Sequence, residues 1–365
     1  MHGWEGNGGP TTLDVARAQF FKKVKSKKAG AKGYTEIKMA AGKKDNASGG
    51  KIDQDKAKFE KAKKSQNKSK LDENVQSLIN FIFDKELMTK SVVAVGYDVN
   101  KMPLGELSKS TVMHGYRVLR QIEDVLGKKT TGDLAKLSGE FYTHIPHNFG
   151  FQKMSNFIIN TADMLKQKLD LIQTLVDIQV AHNIVELSSK KDEDDEAELD
   201  KNFKQLKCKI KHIKEKTETF EMINKYVQNT SEYYKLNIVD CFELEREGEA
   251  KIFNPNKLEN RKLLWHGSRF SNFVGILSQG MRIAPPEAPR SGYLFGKGVY
   301  FADLVSKSTP YCRPALSNNI ATFVLCEVAL GKTRELTSPD CNADNNLPKG
   351  CSSTHALGRT RPNPS

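Results

Sequence analysis

The stretch of sequence that decides the fold runs from residue 263 to residue 311, and it contains LWHGS at 264–268 and GYLFGKGVYFAD at 292–303. It combines a histidine with serines, tyrosines and many glycines and prolines, a mixture that an ordinary core segment does not need. Glycine permits a ligand to approach the backbone closely, and tyrosine supplies both a stacking face and a hydroxyl. The stretch therefore predicts a binding site for a polar, partly aromatic ligand.

Three common nucleotide-binding and catalytic motifs are missing from this stretch. It has no G-x-G-x-x-G between a strand and a helix, no G-x-x-x-x-G-K-[ST] and no G-x-S-x-G, which argues against a doubly wound dinucleotide domain, a P-loop and a hydrolase elbow. What remains is a predicted strand that ends at 266–268, a glycine-rich segment that ends at Tyr300, and a short helix with Lys307, Ser308 and Tyr311. Such a set can hold a flat ring that bears an amide, because a glycine backbone and a hydroxyl bind the amide while a tyrosine stacks.

The positive charge of the chain is concentrated near its N-terminus. Residues 1–70 carry 18 lysines and arginines against 7 aspartates and glutamates, whereas the remaining 295 residues carry 39 against 37. A basic arm beside a near-neutral body is typical of nucleic-acid contact. A solvated lysine-rich linker or a localisation signal has the same composition, so charge alone leaves both interpretations open.

Cysteine usage and hydropathy restrict the class of protein. The cysteines form no C-x-x-C pair and have no histidine at ligand spacing, a pattern that predicts neither a structural zinc site nor a disulfide framework. Free thiols fit a reducing compartment, the cytosol or the nucleus. No apolar run approaches about eighteen residues and no signal-peptide pattern opens the chain, so the sequence predicts no membrane span and no secretion. The six cysteines are at positions 208, 241, 312, 326, 341 and 351.

The N-terminal part is patterned only in short pieces. Residues 12–21 are typical of a capped amphipathic helix, and residues 33–39 alternate like a strand. One helix and one strand cannot bury a core, so we interpret residues 1–40 as the remainder of a larger domain. Residues 41–70 are rich in lysine, glycine, asparagine and serine, and we interpret them as a basic linker.

The rest of the chain changes from one periodicity to another. From 71 to 200 apolar residues recur at helical spacing, with the longest helix near 161–187, which predicts an all-helical domain. From 201 to 365 strand patterns dominate, which predicts an α+β domain with antiparallel strands. The predicted elements of that second domain are a helix near 212–228 and strands near 236–244, 261–265 and 321–330.

Several sequence motifs are spread over residues 71–365. They are MPLGELS (102–108), FYTHIPHNFG (141–150), DIQVA (177–181), FELEREGE (242–249), LWHGS (264–268), GMRIAPPEAP (280–289), GKGVYFAD (296–303), and Lys307-Ser308 with Tyr311. In these motifs and in their order, residues 71–365 resemble the DNA-dependent poly(ADP-ribose) polymerases. The resemblance implies an all-helical regulatory domain at 71–200 followed by an antiparallel-sheet ADP-ribosyltransferase domain at 201–365, an α+β fold class.

The resemblance implies a site for NAD, which is the substrate of this family. His266 would hold a ribose hydroxyl, and the Gly267 backbone would bind both ends of the nicotinamide carboxamide. Ser308 would donate to the carbonyl of that amide, while Tyr300 and Tyr311 would enclose the ring. The reaction would break the nicotinamide–ribose bond and join the sugar to an acceptor, so the residues would work by orientation and by charge stabilisation.

The remaining implied site residues surround these. Ser268, Asn272 and Arg282 would lie towards the adenosine half, and Lys307 beside the reacting centre. The resemblance also turns Asp177 towards the NAD site, whereas Gln173 stands where family members often carry an acid. The predicted catalytic residues are His266, Tyr300 and Lys307; the predicted NAD-binding residues are His266, Gly267, Ser268, Asn272, Arg282, Tyr293, Gly298, Tyr300, Ala302, Ser308 and Tyr311, and no metal is predicted.

One departure from the family concerns the end of the sequence. Family members carry a catalytic glutamate in a late strand, and the sequence to Ser365 contains no glutamate at that position. We therefore expect the closing strands of the catalytic sheet to be missing and the chain as written to make little or no polymer. The alternative function is a catalytically incomplete NAD-binding or DNA-repair scaffold.

The resemblance extends to the N-terminal part. Residues 1–40 resemble the tail of the family's WGR domain, which reads DNA breaks. The expected partners are NAD, protein acceptors including the chain itself, and damaged DNA through the N-terminal region, with no membrane. The expected location is the nucleus, and the expected process is the DNA-damage response.

Overall fold

In the computed structural model, the described residues are 22, 25, 26, 69–127, 134–189, 196–254, 257, 259–360 and 362. The chain divides after Lys38 into two compact units, and every element named below lies in the second, Met39–Ser365. The predicted helix at 12–21, the predicted strand at 33–39 and residues 41–68 of the predicted linker lie outside the described residues. Among the described helices, none has the length and apolar character that a membrane crossing requires.

The first part of this unit is helical, as the sequence predicts. Short polar side chains begin several of its helices: Asp72 accepts from the backbone N–H of Asn74, and Asp84 accepts from that of Leu87. Such caps satisfy amide groups that have no partner within the helix. The helices are α1 (Glu73–Ile82), α2 (Lys85–Val93), α3 (Lys109–Gly127), α4 (Leu134–His144), α5 (Ala162–Ser189) and α6 (Glu198–Leu206).

Helix α5 is the structural centre of the unit. It is 28 residues long, and it buries side chains on more than one face, including Leu169, Ile172 and Ile178. A helix that is apolar on several faces must be covered on several sides. It packs against α2, α3 and α6 on the helical side, and against a short 3₁₀ turn at Phe270–Asn272 on the other side.

The second part of the unit is an α+β region built from short paired strands. Strands β1 and β2 pair in antiparallel orientation, as do β3 and β4, so the predicted fold class is confirmed. A third pair, β5 and β6, is parallel. The elements are β1 (Cys208–His212), α7 (Glu218–Thr230), β2 (Phe242–Arg246), α8 (Glu249–Ile252), β3 (Arg261–Ser268), α9 (Phe273–Gln279), α10 (Val305–Cys312), β4 (Thr322–Ala329), β5 (Thr333–Leu336) and β6 (Ser353–Ala356).

Strand β3 separates the core from the outer face of this region. Trp265 is 4% exposed and packs in a cluster with Val227 of α7 and Val305 of α10. Successive side chains of a strand point to opposite faces, so the next residue, His266, points away from this cluster. The alternation places an aromatic anchor directly beside the residue that the sequence selects as a ligand-binding histidine.

The strand predicted at 236–244 differs from the observed one. Strand β2 begins only at Phe242, and the residues before it form no strand. Leu236 and Ile238 instead pack against the Trp265 cluster. Their alternation therefore reflects burial of a connecting segment against the core, and strand pairing starts after it.

The packing of α3 and α5 yields a prediction about stability. Leu119 of α3 is fully buried, whereas Leu187 of α5 is 52% exposed. Replacing Leu119 with alanine should lower the free energy of unfolding by about 2–5 kcal/mol, because the cavity cannot close. The matched change Leu187→Ala should alter it by less than about 0.5 kcal/mol. Urea unfolding followed by circular dichroism measures both, and equal effects would show that the assigned core is wrong.

Candidate active site

A cleft of about 700 Å³ lies where α5 faces the α+β region. The end of β3, the loop that follows α9 and the start of α10 form one side of the cleft, and α5 forms the other. The cleft brings together all the predicted site residues except Ala302 and Ser308. Those on its lining are His266, Gly267, Ser268, Asn272, Arg282, Tyr293, Gly298, Tyr300, Lys307 and Tyr311.

The His266 imidazole is held in one tautomer. Its Nδ1 lies 2.8 Å from the carbonyl oxygen of Tyr300, and because a carbonyl can only accept, Nδ1 carries the hydrogen. Burial lowers the pKa of His266, which favours the neutral ring. Its Nε2 is therefore left as a hydrogen-bond acceptor for a ligand hydroxyl.

Tyr300 is fixed by two hydrogen bonds to the glycine-rich loop. Its hydroxyl donates to the carbonyl oxygen of Gly296 at 2.6 Å and accepts from the amide of Phe295 at 3.0 Å. Burial raises the pKa of the hydroxyl, which keeps it protonated as a donor. The ring of Tyr293 lies 6.5 Å away, centroid to centroid. The aromatic ring of Tyr300 is therefore held in a fixed position at the cleft.

Gly267 lies against helix α10. A Cβ atom added to it would lie 2.2 Å from the carbonyl oxygen of Ser308, so only glycine fits. Ser308 is 4% exposed, and its hydroxyl donates to the carbonyl oxygen of Trp265 at 3.2 Å. Ala302 exchanges two backbone hydrogen bonds with Trp265. The two predicted residues that do not line the cleft thus both contact Trp265 of β3, Ala302 beside the strand through its backbone and Ser308 from α10 through its hydroxyl.

Helix α5 is joined to the predicted adenosine side of the cleft by an ion pair between the buried carboxylate of Asp177 and the partly exposed side chain of Arg282. Arg282 Nη2 lies 2.5 Å from Asp177 Oδ1, and Asp177 is 4% exposed. Gln173 donates to the other oxygen of Asp177 at 3.1 Å. Burial raises the pKa of Asp177 from 3.8 to about 6, although both partners act in the opposite direction. The cost of removing this carboxylate from water thus exceeds the stabilisation that its partners return.

Further contacts of α5 reach other residues of the cleft. Arg269, which is 7% exposed, donates to Thr174 Oγ1 at 3.0 Å. The ammonium of Lys166 lies 6.0 Å from the centroid of the Tyr311 ring. A cation at that distance from an aromatic face is attracted by it. Lys166 of α5 thus lies near the ring of Tyr311, which the resemblance assigns to nicotinamide and which is 53% exposed.

Most of the residues of α5 that line the cleft were not predicted from the sequence. Asp177 was assigned to it by resemblance, but Lys166, Asp170 and Thr174 were not. The signal was present, because the polar positions 166, 170, 173 and 177 recur at helical spacing beside buried apolar positions such as Leu169 and Ile172. Within the described residues, no group of three or more histidines, cysteines, aspartates or glutamates could hold a metal ion.

Comparison with known proteins identifies a family for both the helical region and the α+β region. Residues 69–203 match the regulatory domain of poly(ADP-ribose) polymerase, and residues 217–365 match its catalytic domain. The chain belongs to the poly(ADP-ribose) polymerase family. The resemblance drawn from the motifs is confirmed, whereas the domain boundaries at 40, 70 and 200 and the roles of the single site residues stay predictions.

The relatives are longer than the matched chain. A poly(ADP-ribose) polymerase 2 of Arabidopsis thaliana is 44% identical over 339 residues, which cover 92% of this chain and 52% of the relative. A poly(ADP-ribose) polymerase 1 of Xenopus laevis is 43% identical over 304 residues, which cover 82% of this chain and 30% of the relative. The chain thus spans about half the length of its plant relatives and less of the animal one.

The close approach of β3 to α10 yields a prediction about two glycines of the cleft. In Gly267→Ala, the new methyl group would meet the backbone of Ser308, and the free energy of unfolding should fall by about 1–3 kcal/mol. Gly298→Ala is the matched control, because a Cβ there has nothing within 4 Å. Thermal and urea unfolding measure the difference. Equal stability of the two variants would contradict the assigned packing of Gly267.

Proposed function

We propose that this chain is an NAD-dependent ADP-ribosyltransferase of the poly(ADP-ribose) polymerase type, which transfers ADP-ribose to protein acceptors, itself included, and releases nicotinamide. The observation that carries the proposal is the cleft itself. It combines the backbone at Gly267 with the aromatic rings of Tyr300 and Tyr311 in a chain that matches the family's catalytic domain. This combination suits an aromatic amide, which needs a polar edge and two apolar faces.

The residues of this chain would act on nicotinamide by orientation. Tyr300 is held in place through its hydroxyl, so it offers a ring that needs no further ordering on binding. Ser308 is the proposed donor to the amide carbonyl, and for this its hydroxyl would exchange the carbonyl oxygen of Trp265 for that of the ligand. A donor that already has a protein partner in the free state is not left unsatisfied when the ligand departs.

The proposed role of His266 follows from its tautomer. The Tyr300 carbonyl occupies Nδ1, so Nε2 accepts a hydrogen bond from a ribose hydroxyl and fixes the sugar relative to the ring between the tyrosines. Cleavage of the nicotinamide–ribose bond develops positive charge on the sugar, and a neutral imidazole does not oppose that charge as an imidazolium would. Holding sugar and base together in this way reduces the entropic part of the barrier.

The proposed regulation uses α5. Because this helix supplies one wall of the cleft through residues such as Gln173 and Asp177, any displacement of the helix changes the space open to NAD. We propose that damaged DNA, bound through residues 1–40 and the basic segment 41–70, acts on the cleft through the helical region. A nuclear location and a role in the DNA-damage response belong to the same proposal, which rests on the motif resemblance and on the basic N-terminal segment.

Binding measurements on residues 1–365 test this proposal. Isothermal titration should detect binding of NAD and of nicotinamide. Tyr311→Ala should weaken nicotinamide binding by about tenfold, the scale of a lost aromatic stacking contact. Tyr233→Ala is the matched control, because Tyr233 is 87% exposed and lies outside the cleft. Absence of NAD binding, or an equal effect of the two substitutions, would contradict the proposed site.

A second measurement separates the enzyme from a binding scaffold. Incubation with NAD labelled in its nicotinamide, with and without broken DNA, should release free nicotinamide if the chain is a transferase. Binding of NAD without any release would favour the catalytically incomplete scaffold instead.

A further inference from the structure

A loop of the catalytic region carries the aromatic wall of the cleft. Residues 285–291 lead directly into Gly292 and Tyr293, both of which line the cleft. The loop contains three prolines, at 285, 286 and 289, and its Ala288 is 1% exposed. The position of this loop therefore determines where Tyr293 lies.

Helix α3 of the helical region holds one end of this loop. The carboxylate of Glu123 lies 2.8 and 3.0 Å from the backbone nitrogen of Arg290, and it also accepts from the backbone nitrogen of Ser291. One carboxylate thus accepts from two consecutive amides. Hydrogen bonds to an ionised acceptor are shorter and about twice as strong as neutral ones.

The same helix holds the other end of the loop one turn earlier. Arg120 Nη1 donates to the carbonyl oxygen of Pro286 at 2.9 Å. From the catalytic region, Lys297 Nζ donates to the carbonyl oxygens of Pro285 and Pro286 at 2.6 and 3.0 Å. Pro285 and Pro286 have no amide hydrogen and offer only carbonyl oxygens, which accept from the cationic side chains. The other end of the loop offers free amide groups, which donate to the carboxylate of Glu123.

Arg290 contacts both the helical region and the catalytic region. Its backbone nitrogen is bound by Glu123 of the helical region, and its guanidinium binds Asp344 of the catalytic region at 2.7 and 3.0 Å. A Cβ at Gly296 would lie 2.4 Å from Asp344 Oδ1, so this carboxylate is also packed against the glycine-rich loop. Arg290 and Asp344 therefore connect α3 to the glycine-rich loop that precedes Tyr300.

We propose that Glu123, assisted by Arg120, is a positioning residue for the NAD cleft, through which α3 sets the place of Tyr293. This route from the helical region to the cleft is separate from the direct wall that α5 provides. The proposal rests on the proposed function, because it assigns the loop to NAD binding. In a variant that lacks the Glu123 carboxylate, residues 285–291 must become ordered when NAD binds. The free-energy cost of that ordering lowers the affinity for NAD.

The first test measures the loop without any ligand. Hydrogen exchange by mass spectrometry on a peptide covering 288–294 includes the amides of Arg290 and Ser291 together with those of 292–294, while Pro289 contributes none. Glu123→Ala should speed exchange in this peptide by about tenfold or more, because both amides lose their acceptor. Glu123→Gln, which keeps one acceptor oxygen, should fall between Glu123→Ala and the unchanged chain. Asp124→Asn is the matched control, since it removes the same charge from the exposed neighbouring position of α3, and it should leave exchange unchanged.

The second test measures NAD affinity in the same variants by titration. Glu123→Ala should bind NAD about tenfold more weakly, a difference of about 1.4 kcal/mol, and Asp124→Asn should bind it as the unchanged chain does. Circular dichroism and thermal unfolding exclude global unfolding, and if Glu123→Ala does not fold, Glu123→Gln carries both tests.

Several outcomes would overturn the positioning role. They are unchanged exchange at 290–291, faster exchange with unaltered or increased NAD affinity, and equal effects of Asp124→Asn. Absence of NAD binding in the unchanged chain would contradict the proposed function instead. The exchange measurement would still decide whether Glu123 holds the loop.

Discussion

The cleft between the helical and catalytic regions depends on the contact between the buried carboxylate of Asp177 in α5 and Arg282 of the catalytic region. Placing a carboxylate away from water is costly, and this one is accommodated only because Arg282 and Gln173 bind its two oxygens. Gly275 of α9 makes the approach possible, since a Cβ there would lie 2.8 Å from Asp177 Oδ1. As a result, a helix of the regulatory domain closes one side of the catalytic cleft.

Strand β3 gives the cleft its second fixed side. Trp265 belongs to the core, and the next two residues, His266 and Gly267, line the cleft, so site and core share one strand. Both regions supply charged side chains where they meet, Glu123 and Asp177 from the helical region and Arg282 from the catalytic region. A shift of the helical region relative to the catalytic region changes the energy of these charged contacts, because that energy depends strongly on the distance between the charges and on solvent access.

Local sequence patterns predicted the parts of the fold that have strong local signals. The long periodicity of 161–187 predicted α5, which spans Ala162–Ser189, and ten of the twelve site residues predicted from the family motifs line the catalytic side of the cleft. The parallel pair β5–β6 has no such signal, because pairing of distant strands leaves no trace in either strand alone. The contacts of Arg269 with Thr174 and of Glu123 with Arg290 join residues far apart in sequence, and no pattern around either partner indicates the other.

The most direct test of the account is the pH dependence of stability with and without Asp177. Its pKa is raised in the folded chain from 3.8 to about 6, so the folded state binds this proton more tightly, and stability should be gained as the pH falls through 6. Between about pH 7.5 and about pH 5, the unchanged chain should gain about 1 kcal/mol of unfolding free energy relative to Asp177→Asn. The exposed Asp163 of the same helix is the control, and Asp163→Asn should keep the pH dependence of the unchanged chain. Identical pH dependence of Asp177→Asn and the unchanged chain would contradict a buried carboxylate at the junction of α5 and the cleft.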